Sequence, residues 1–504
     1  MGIVFRQSAK NIIVIVVGAM LGAFILWLSA HYIPDKHRLG FTVQFTVIAV
    51  SLSQLLLMGL SSTLAVYIHR YLEDEHKRKV LITLCLLIPV LLLAIASVFF
   101  VLFRANIFNW FQPEDIPMVK RYFGWIPLYT LFFIFQLLLE QYLASQMKVA
   151  IAAFIREIVV RFINIALLLL FAFGYISFDY FIAGLVLMYL VPVCAFFFLS
   201  SKTKVFGLSL SLSSFSKDEY TELAKFSWYH FLLSASILFM GYMDNLLLLH
   251  YDHNGFGDAA IYRYAVFLIV VLQMPSKALI PASLTVLARA FNEKDMVKAK
   301  DLFSRSSLNI LIPTLCLAVM LFCNLNNIVA ILKNNYAGII PIFSILFIGS
   351  LVNMATGMND QVLSIANYYK FNFYLSISLT VILFALLKFL IPRYGVYGAA
   401  WSSTTILMIF NIAKYIFIKR KLDMQPFSPR TLLVILAALP AAAAGYFFPY
   451  LFEPSRHVYV HSFIDAILRS GVIVIVYLAM LIWLKPSPDL QEYLASIRKN
   501  KRLF

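Results

Sequence analysis

Charge is scarce in this chain, and negative charge is scarcer: charged residues make up 13% of the 504, with 24 acidic against 41 basic. Hydrophobic residues fill 62%, more than any water-soluble core can hide. The four cysteines, Cys85, Cys194, Cys316 and Cys323, all fall in apolar runs without metal-ligand spacing, so neither a disulfide nor a metal site is expected. There is no G-x-x-x-x-G-K-[ST] stretch and no soluble domain to cradle a nucleotide, which excludes ATP hydrolysis, and no cofactor is expected. Outer loops are short, none above roughly 20 residues. The longest, Arg104 to Tyr122, carries Glu114 and Asp115 between two prolines. Enzymes that act on lipid-linked sugars generally need an outer loop or domain to hold acceptor and carboxylates, so the chain is read as a non-enzyme.

What the sequence has instead is apolar windows of about 20 residues, roughly fourteen of them. The predicted fold is all-α and integral to the membrane. Lysine and arginine in the short loops set its orientation. With both termini inside, about 27 basic residues lie in cytoplasmic segments, about 9 outside and about 5 within spans. The formal charge of +17 is therefore topology plus attraction to anionic headgroups, with no nucleic acid implied. Arg6 and Lys10 precede the first span, but no A-x-A-type site follows it, so that span is expected to be a retained helix.

The membrane part is written twice, about 220 residues apart. Glu140-Gln141-Tyr142-Leu143-Ala144-Ser145 ends the fourth span, and Asp360-Gln361-Val362-Leu363-Ser364-Ile365 ends the tenth. Gly40 answers Gly257, Arg70 to Asp74 answers Arg289 to Glu293, and Phe173-Gly174-Tyr175 answers Tyr394-Gly395-Val396. Six spans per copy keep one orientation, the parallel-repeat plan of many secondary transporters. The expected organisation is an N-lobe at 1–205 (spans one to six), a Ser-rich cytoplasmic linker at 206–225, a C-lobe at 226–421 (spans seven to twelve), and two appended spans with a cytoplasmic tail at 422–504.

Polar stripes at helical spacing mark where helices meet protein or water instead of lipid. The first span carries Asn11, Gly18, Gly22 and Ser29; the second Gln44, Ser51, Gln54 and Ser61; the seventh Ser227, His230, Ser234, Gly241 and Asp244; the tenth Ser350, Asn353, Gly357 and Asp360. Gly18 and Gly22 form a G-x-x-x-G pair, read as close helix packing. Asp244 near the outer end of the seventh span and Arg263 one turn into the eighth are expected to pair, either to fix the helix interface or as a proton- or sodium-responsive outer gate. Gln273 and Lys277 lie between Pro275 and Pro281, which are expected to kink the helix; Lys277 either meets a phosphate or snorkels. In the fifth span Glu157 and Arg161 have the i, i+4 order of a salt bridge, leaving Arg156 free. Glu140 and Asp360 are repeat-equivalent and candidates for inner-gate closure. Lys388, Lys414 and Arg469 are read as snorkelling, with cavity lining as the alternative for Lys414, which follows Asn411 on one face.

The stretch Ile391-Pro392-Arg393-Tyr394-Gly395-Val396-Tyr397-Gly398-Ala399-Ala400 resembles the P-x-x-G-x-x-G-A-A turn of the polysaccharide flippases, the lipid-linked oligosaccharide exporters of the multidrug/oligosaccharidyl-lipid/polysaccharide superfamily. Asp244, and Tyr262 with Ala265, also look familial, although Ala260 stands where many members have glycine. The resemblance implies a MATE-like fold and a cavity that takes an undecaprenyl-pyrophosphate-linked oligosaccharide from the inner leaflet of a bacterial inner membrane and releases it outside. It also implies membrane lipids, a glycan polymerase and glycosyltransferases as partners, with proton or sodium as coupling ion. Arg156, Arg161 and Lys277 are then candidates for the pyrophosphate, and Gln44, Gln54, Gln273 and Asn353 for the sugar. Asp244, Arg263, Glu140, Asp360 and His230 are candidates for gating or ion coupling. A cation-coupled drug exporter and a peptidoglycan-precursor flippase are the alternatives.

Overall fold

The computed structural model describes residues 2–33, 35–71, 73–146, 148–203, 205–211, 214–332, 336–449, 458–489 and 491. Within them every regular element is helical. Ten helices are long and apolar enough to cross a membrane, and the bent pair Phe256–Leu272 and Met274–Pro281 makes an eleventh.

The three other expected spans are present in altered form. The first is the helix Gly2–Tyr32, of which Val17–Tyr32 is the apolar part among the described residues. The fifth is interrupted: Val149–Phe154 passes through a π turn, Ile155–Val159, into Val160–Ala172. The eleventh and twelfth run together as Tyr369–Leu422, 54 residues, which if straight would measure about 80 Å against a hydrocarbon layer of about 30 Å. It is not straight. Gly395 has φ 55° and ψ −138°, a conformation open to glycine and little else. Phe371 and Phe417, 46 positions apart, stack with ring centroids 3.8 Å apart, and Tyr368 packs edge-on to Phe417 at 5.2 Å. The familial-looking turn at 391–400 is thus the tip of a helical hairpin.

Helix starts follow from their caps. Asp74 accepts from the Lys77 amide at the head of the third span, Glu75–Leu102, and Asp295 accepts from the Lys298 amide at the head of the ninth, Met296–Cys323. Both helices have 28 residues and an internal proline, Pro89 and Pro313. The repeat is therefore visible in capping as well as in sequence. The seventh span, Lys217–Tyr251, starts with a capping box, Ser216 with Glu219.

Packing divides the chain into two compact units, one of Met1–Arg263 with Leu387–Val396, the other of Tyr264–Leu386 with Tyr397–Phe504. The first unit is centred on Ile68, Val80, Ile134, Leu138, Leu143 and Phe196. The second has one core around Leu287, Phe303, Val362 and Ile418, and another where the last two spans, Pro429–Tyr446 and Val458–Leu484, meet the ninth.

Arg469 departs from the snorkelling expectation. It is 1% exposed and pairs with Asp465 at 3.0 Å, and it also donates to the carbonyls of Gly445 (2.6 Å) and Phe448 (3.0 Å). Those carbonyls belong to the end of the thirteenth span, where the chain lacks further amides to pair them and a cation suits the helix dipole. Arg469 is the cap of that helix.

Candidate functional site

In the first unit four charges form a chain. Arg156 donates to Glu140 and to Glu157 Oε1 (3.0 Å), and Arg161 donates to Glu157 Oε2 (2.6 Å). The Glu157–Arg161 bridge follows the sequence spacing. Arg156 does not follow the sequence reading: it is held between two carboxylates and is not free. In an α-helix consecutive side chains point about 100° apart and do not meet, but Arg156 and Glu157 lie within the π turn, whose wider winding accompanies their contact. Gly18 of the first span passes over this turn, so close that a Cβ there would stand 3.0 Å from both Cβ and Oε2 of Glu157. One oxygen of Glu140, Oε2, is buried without a hydrogen-bond partner among the described residues.

A cavity of about 220 Å³ opens in the same unit. Its polar wall is Ser29, Thr42, Thr46, Tyr129, Asn164 and Tyr189, and its charge is Arg263. No carboxylate is among the lining residues. Arg263 therefore faces this space, and the hydrogen bonds found on Asp244 come from residues other than the expected Arg263. Asp244 is 7% exposed and is satisfied from other directions. The hydroxyl of Tyr262 donates to its Oδ2 at 2.5 Å, and the backbone and side-chain nitrogens of Asn245 donate to Oδ1 at 2.7 and 3.0 Å.

The second and seventh polar stripes meet each other. Gln44 donates to Asn245 (3.4 Å), Ser227 donates to the Met58 carbonyl (3.0 Å), and Thr63 donates to Ser227 (3.2 Å). Gly59, at φ 76°, makes this approach possible: a Cβ there would stand 2.2 Å from the Ser227 carbonyl oxygen. These stripe residues thus serve helix packing. Gln54 and His230 are half-buried, His230 against the ring of Phe226 at 4.3 Å. The side chain of Asn11 lies outside the described residues.

In the loop before the fourth span, Asp115 is a buried carboxylate. It accepts from the backbone amide of Phe256 at 3.0 Å, and His37 Nδ1 donates to it at 2.8 Å. Burial pushes its carboxyl above the usual range. Asp252 is pushed up to about 6, first by burial and then by the neighbouring charge of Asp258.

In the second unit the tenth span breaks. The helix Ile339–Thr356 ends at Gly357, φ 65°, and Asn359–Ile365 resumes. Asp360 follows the break and takes the ammonium of Lys414 at 2.7 Å. Lys414 is only 1% exposed, a correction to the snorkelling reading: a buried ammonium needs a partner, and Asp360 comes within its reach. Lys277 is exposed, and Lys388 is exposed as a snorkelling residue would be. Gln273 and Asn353 are half-buried, and the Asn353 carbonyl accepts from Thr356 at 3.0 Å. The bend of 47° falls at Gln273. Pro275 there opens a helix and does not kink one, since its missing N–H is one that the first turn leaves unpaired anyway.

Sequence reasoning missed the π turn, the tyrosine and threonine wall around Arg263, and the Asp360–Lys414 pair. Only the last left a signal, the face shared by Asn411 and Lys414.

No protein-family profile and no curated protein matches the chain. Solved structures do. An inward-closed structure of the lipid II flippase MurJ has a TM-score of 0.68 at 16% identity, covering 93% of this chain and 99% of that one. An inward-facing multidrug resistance MATE family transporter of the MOP superfamily has a TM-score of 0.64 at 15% identity, with coverages of 81% and 94%. A MOP superfamily transporter from Pyrococcus furiosus, reported with a binding pocket of reverse polarity, has a TM-score of 0.53 at 14% identity, with coverages of 84% and 95%. The chain has the all-helical, multi-pass fold of the MATE and MurJ transporters.

Proposed function

We propose that this chain is a flippase that carries polyprenyl-pyrophosphate-linked oligosaccharide repeat units across the bacterial inner membrane by alternating access, for surface polysaccharide synthesis, with both termini cytoplasmic. The observation that carries the reading is the polarity of the cavity around Arg263. A guanidinium among hydroxyl and amide groups suits a phosphate and sugar hydroxyls, whereas an exporter of cationic drugs wants carboxylates there, and the lining has none. Arg156 and Arg161, each already held by a carboxylate, offer less to an anion than Arg263 does. Lys277, exposed, remains a candidate for meeting a headgroup.

A peptidoglycan-precursor flippase is the second reading. Its support is extent: the MurJ structure matches 93% of this chain, the multidrug resistance transporter 81%. Deleting the gene and identifying the accumulated lipid-linked intermediate by mass spectrometry separates the two. A polyprenyl-pyrophosphate heteropolymer unit supports the first reading and a peptidoglycan precursor the second. If neither accumulates, both fall.

A further inference from the structure

The acids at the C-terminal ends of the fourth and tenth spans are repeat-equivalent, yet their partners differ in one chemical property. Glu140 is held by Arg156 and Asp360 by Lys414. A guanidinium keeps its proton in proteins under all ordinary conditions, whereas a lysine buried away from water is able to give its proton up.

The surroundings of Lys414 favour exchange. Its ammonium has three donors and, among the described residues, makes one hydrogen bond, to Asp360 Oδ1, while another side rests on the Phe410 ring, 3.3 Å from the centroid. Asp360, by contrast, has a side chain 50% exposed, so water reaches the acid but not the base. Asn372 stands ready for both states of the acid. Its Nδ2 donates to Asp360 Oδ1 at 3.0 Å, and its own Oδ1 is buried without a hydrogen-bond partner among the described residues. An amide turned over would accept from a protonated carboxyl. Asp360 is the one charged group acting on Lys414 among the described residues. Asn372, Asn411 and Phe410 do not titrate, and Tyr368 packs on Phe417 one turn further along.

We infer that Asp360 and Lys414 are the proton-exchange site of this carrier and that Glu140 and Arg156 are its non-exchanging counterpart, a reading that rests on the chain being a transporter. The Lys414 ammonium passes its proton along the 2.7 Å hydrogen bond to Asp360 and becomes the buried amine. The Asp360 acid, which water reaches, releases that proton and becomes the carboxylate. A later proton from water returns to the Asp360 carboxylate, and its transfer to the amine restores the pair. One proton has left and one has entered, and the pair is neutral overall before and after.

Lys414→Arg keeps the charge and removes the exchangeable proton. Two measurements on the full-length protein test it. Without substrate, the melting temperature of the wild type is expected to carry a pH dependence on the alkaline side, rising with pH, that Lys414→Arg abolishes and Arg156→Lys leaves unchanged. In vesicles, uptake of a fluorescent polyprenyl-pyrophosphate N-acetylglucosamine probe is expected to lose its response to an imposed pH gradient in Lys414→Arg, while undriven equilibration persists. An alkaline limb identical in wild type and Lys414→Arg overturns the inference. An altered limb with a probe that no variant moves leaves the pair as proton-exchanging and removes the flippase reading instead. Should Lys414→Arg not assemble, Asp360→Asn serves: its alkaline limb is expected to move to lower pH because the ammonium has lost its carboxylate, and an unmoved limb overturns the inference.

Discussion

Gly40 lies against Phe256 so closely that a Cβ at position 40 would stand 1.9 Å from the Phe256 carbonyl oxygen. The approach joins the start of the second span to the start of the eighth, one residue before Gly257, the repeat counterpart of Gly40. Backbone cannot give way there as a side-chain tip can. Gly40→Ala is expected to destabilise the protein by about 1–3 kcal/mol, the usual cost of overpacking, read as a lower melting temperature in detergent. Gly241→Ala is the control. It sits within a helix with open space around the new methyl group, and is expected to be neutral or stabilising by about 0.5–1 kcal/mol.

Gly395 is expected to tolerate no side chain. Its φ of 55° already disfavours one, and a Cβ would stand 2.8 Å from Asp252 Oδ1. Gly395→Ala is expected to cost about 1–3 kcal/mol, with protease sensitivity appearing at the hairpin tip in limited proteolysis. A melting curve and digestion pattern equal to wild type would contradict the hairpin geometry.

The charged chain of the first unit is expected to behave as a unit. Removing Arg156 leaves Glu140 and Glu157 partly buried and facing each other, so Arg156→Ala is expected to destabilise by about 1–3 kcal/mol. Glu140→Ala in that background is expected to recover part of the loss. A double-mutant cycle measures the coupling, and strict additivity would show that the contacts carry no energy.

Asp252 gives a pH dependence with a definite sign. In the folded protein its carboxyl holds its proton up to about 6, while an unfolded aspartate releases it near 4. Between those values the folded state binds more protons, so stability falls as pH rises through the window. Asp115, also raised by burial, acts in the same direction. Asp252→Asn is expected to flatten this slope in melting temperature between about pH 4 and 6.

Legibility in the sequence followed the reach of each interaction. Spans, repeat, turn at 391–400 and the Glu157–Arg161 bridge were legible because each rests on local spacing or composition. Arg263 and Asp244 are near neighbours in helix order, but which way each turns depends on Tyr262 and Asn245 competing for the same carboxylate. The partners of Arg156 are not legible, because helical spacing reports a straight helix and a π turn occurs there. Nor is the partner of Lys414, which lies 54 positions away, across a hairpin and beyond a break in another helix. No periodicity reports such a distance.

The balance of the Glu140–Arg156–Glu157–Arg161 chain bears on the energy source. Two acids and two bases sum to zero, and so do Asp360 with Lys414 and Asp465 with Arg469. A membrane potential does work of about 2.3 kcal/mol on each elementary charge per 100 mV, and on a neutral cluster it does none. The electrical force across the bilayer therefore finds no net charge to act on in these three clusters, and a change of voltage alone is expected to leave them in place.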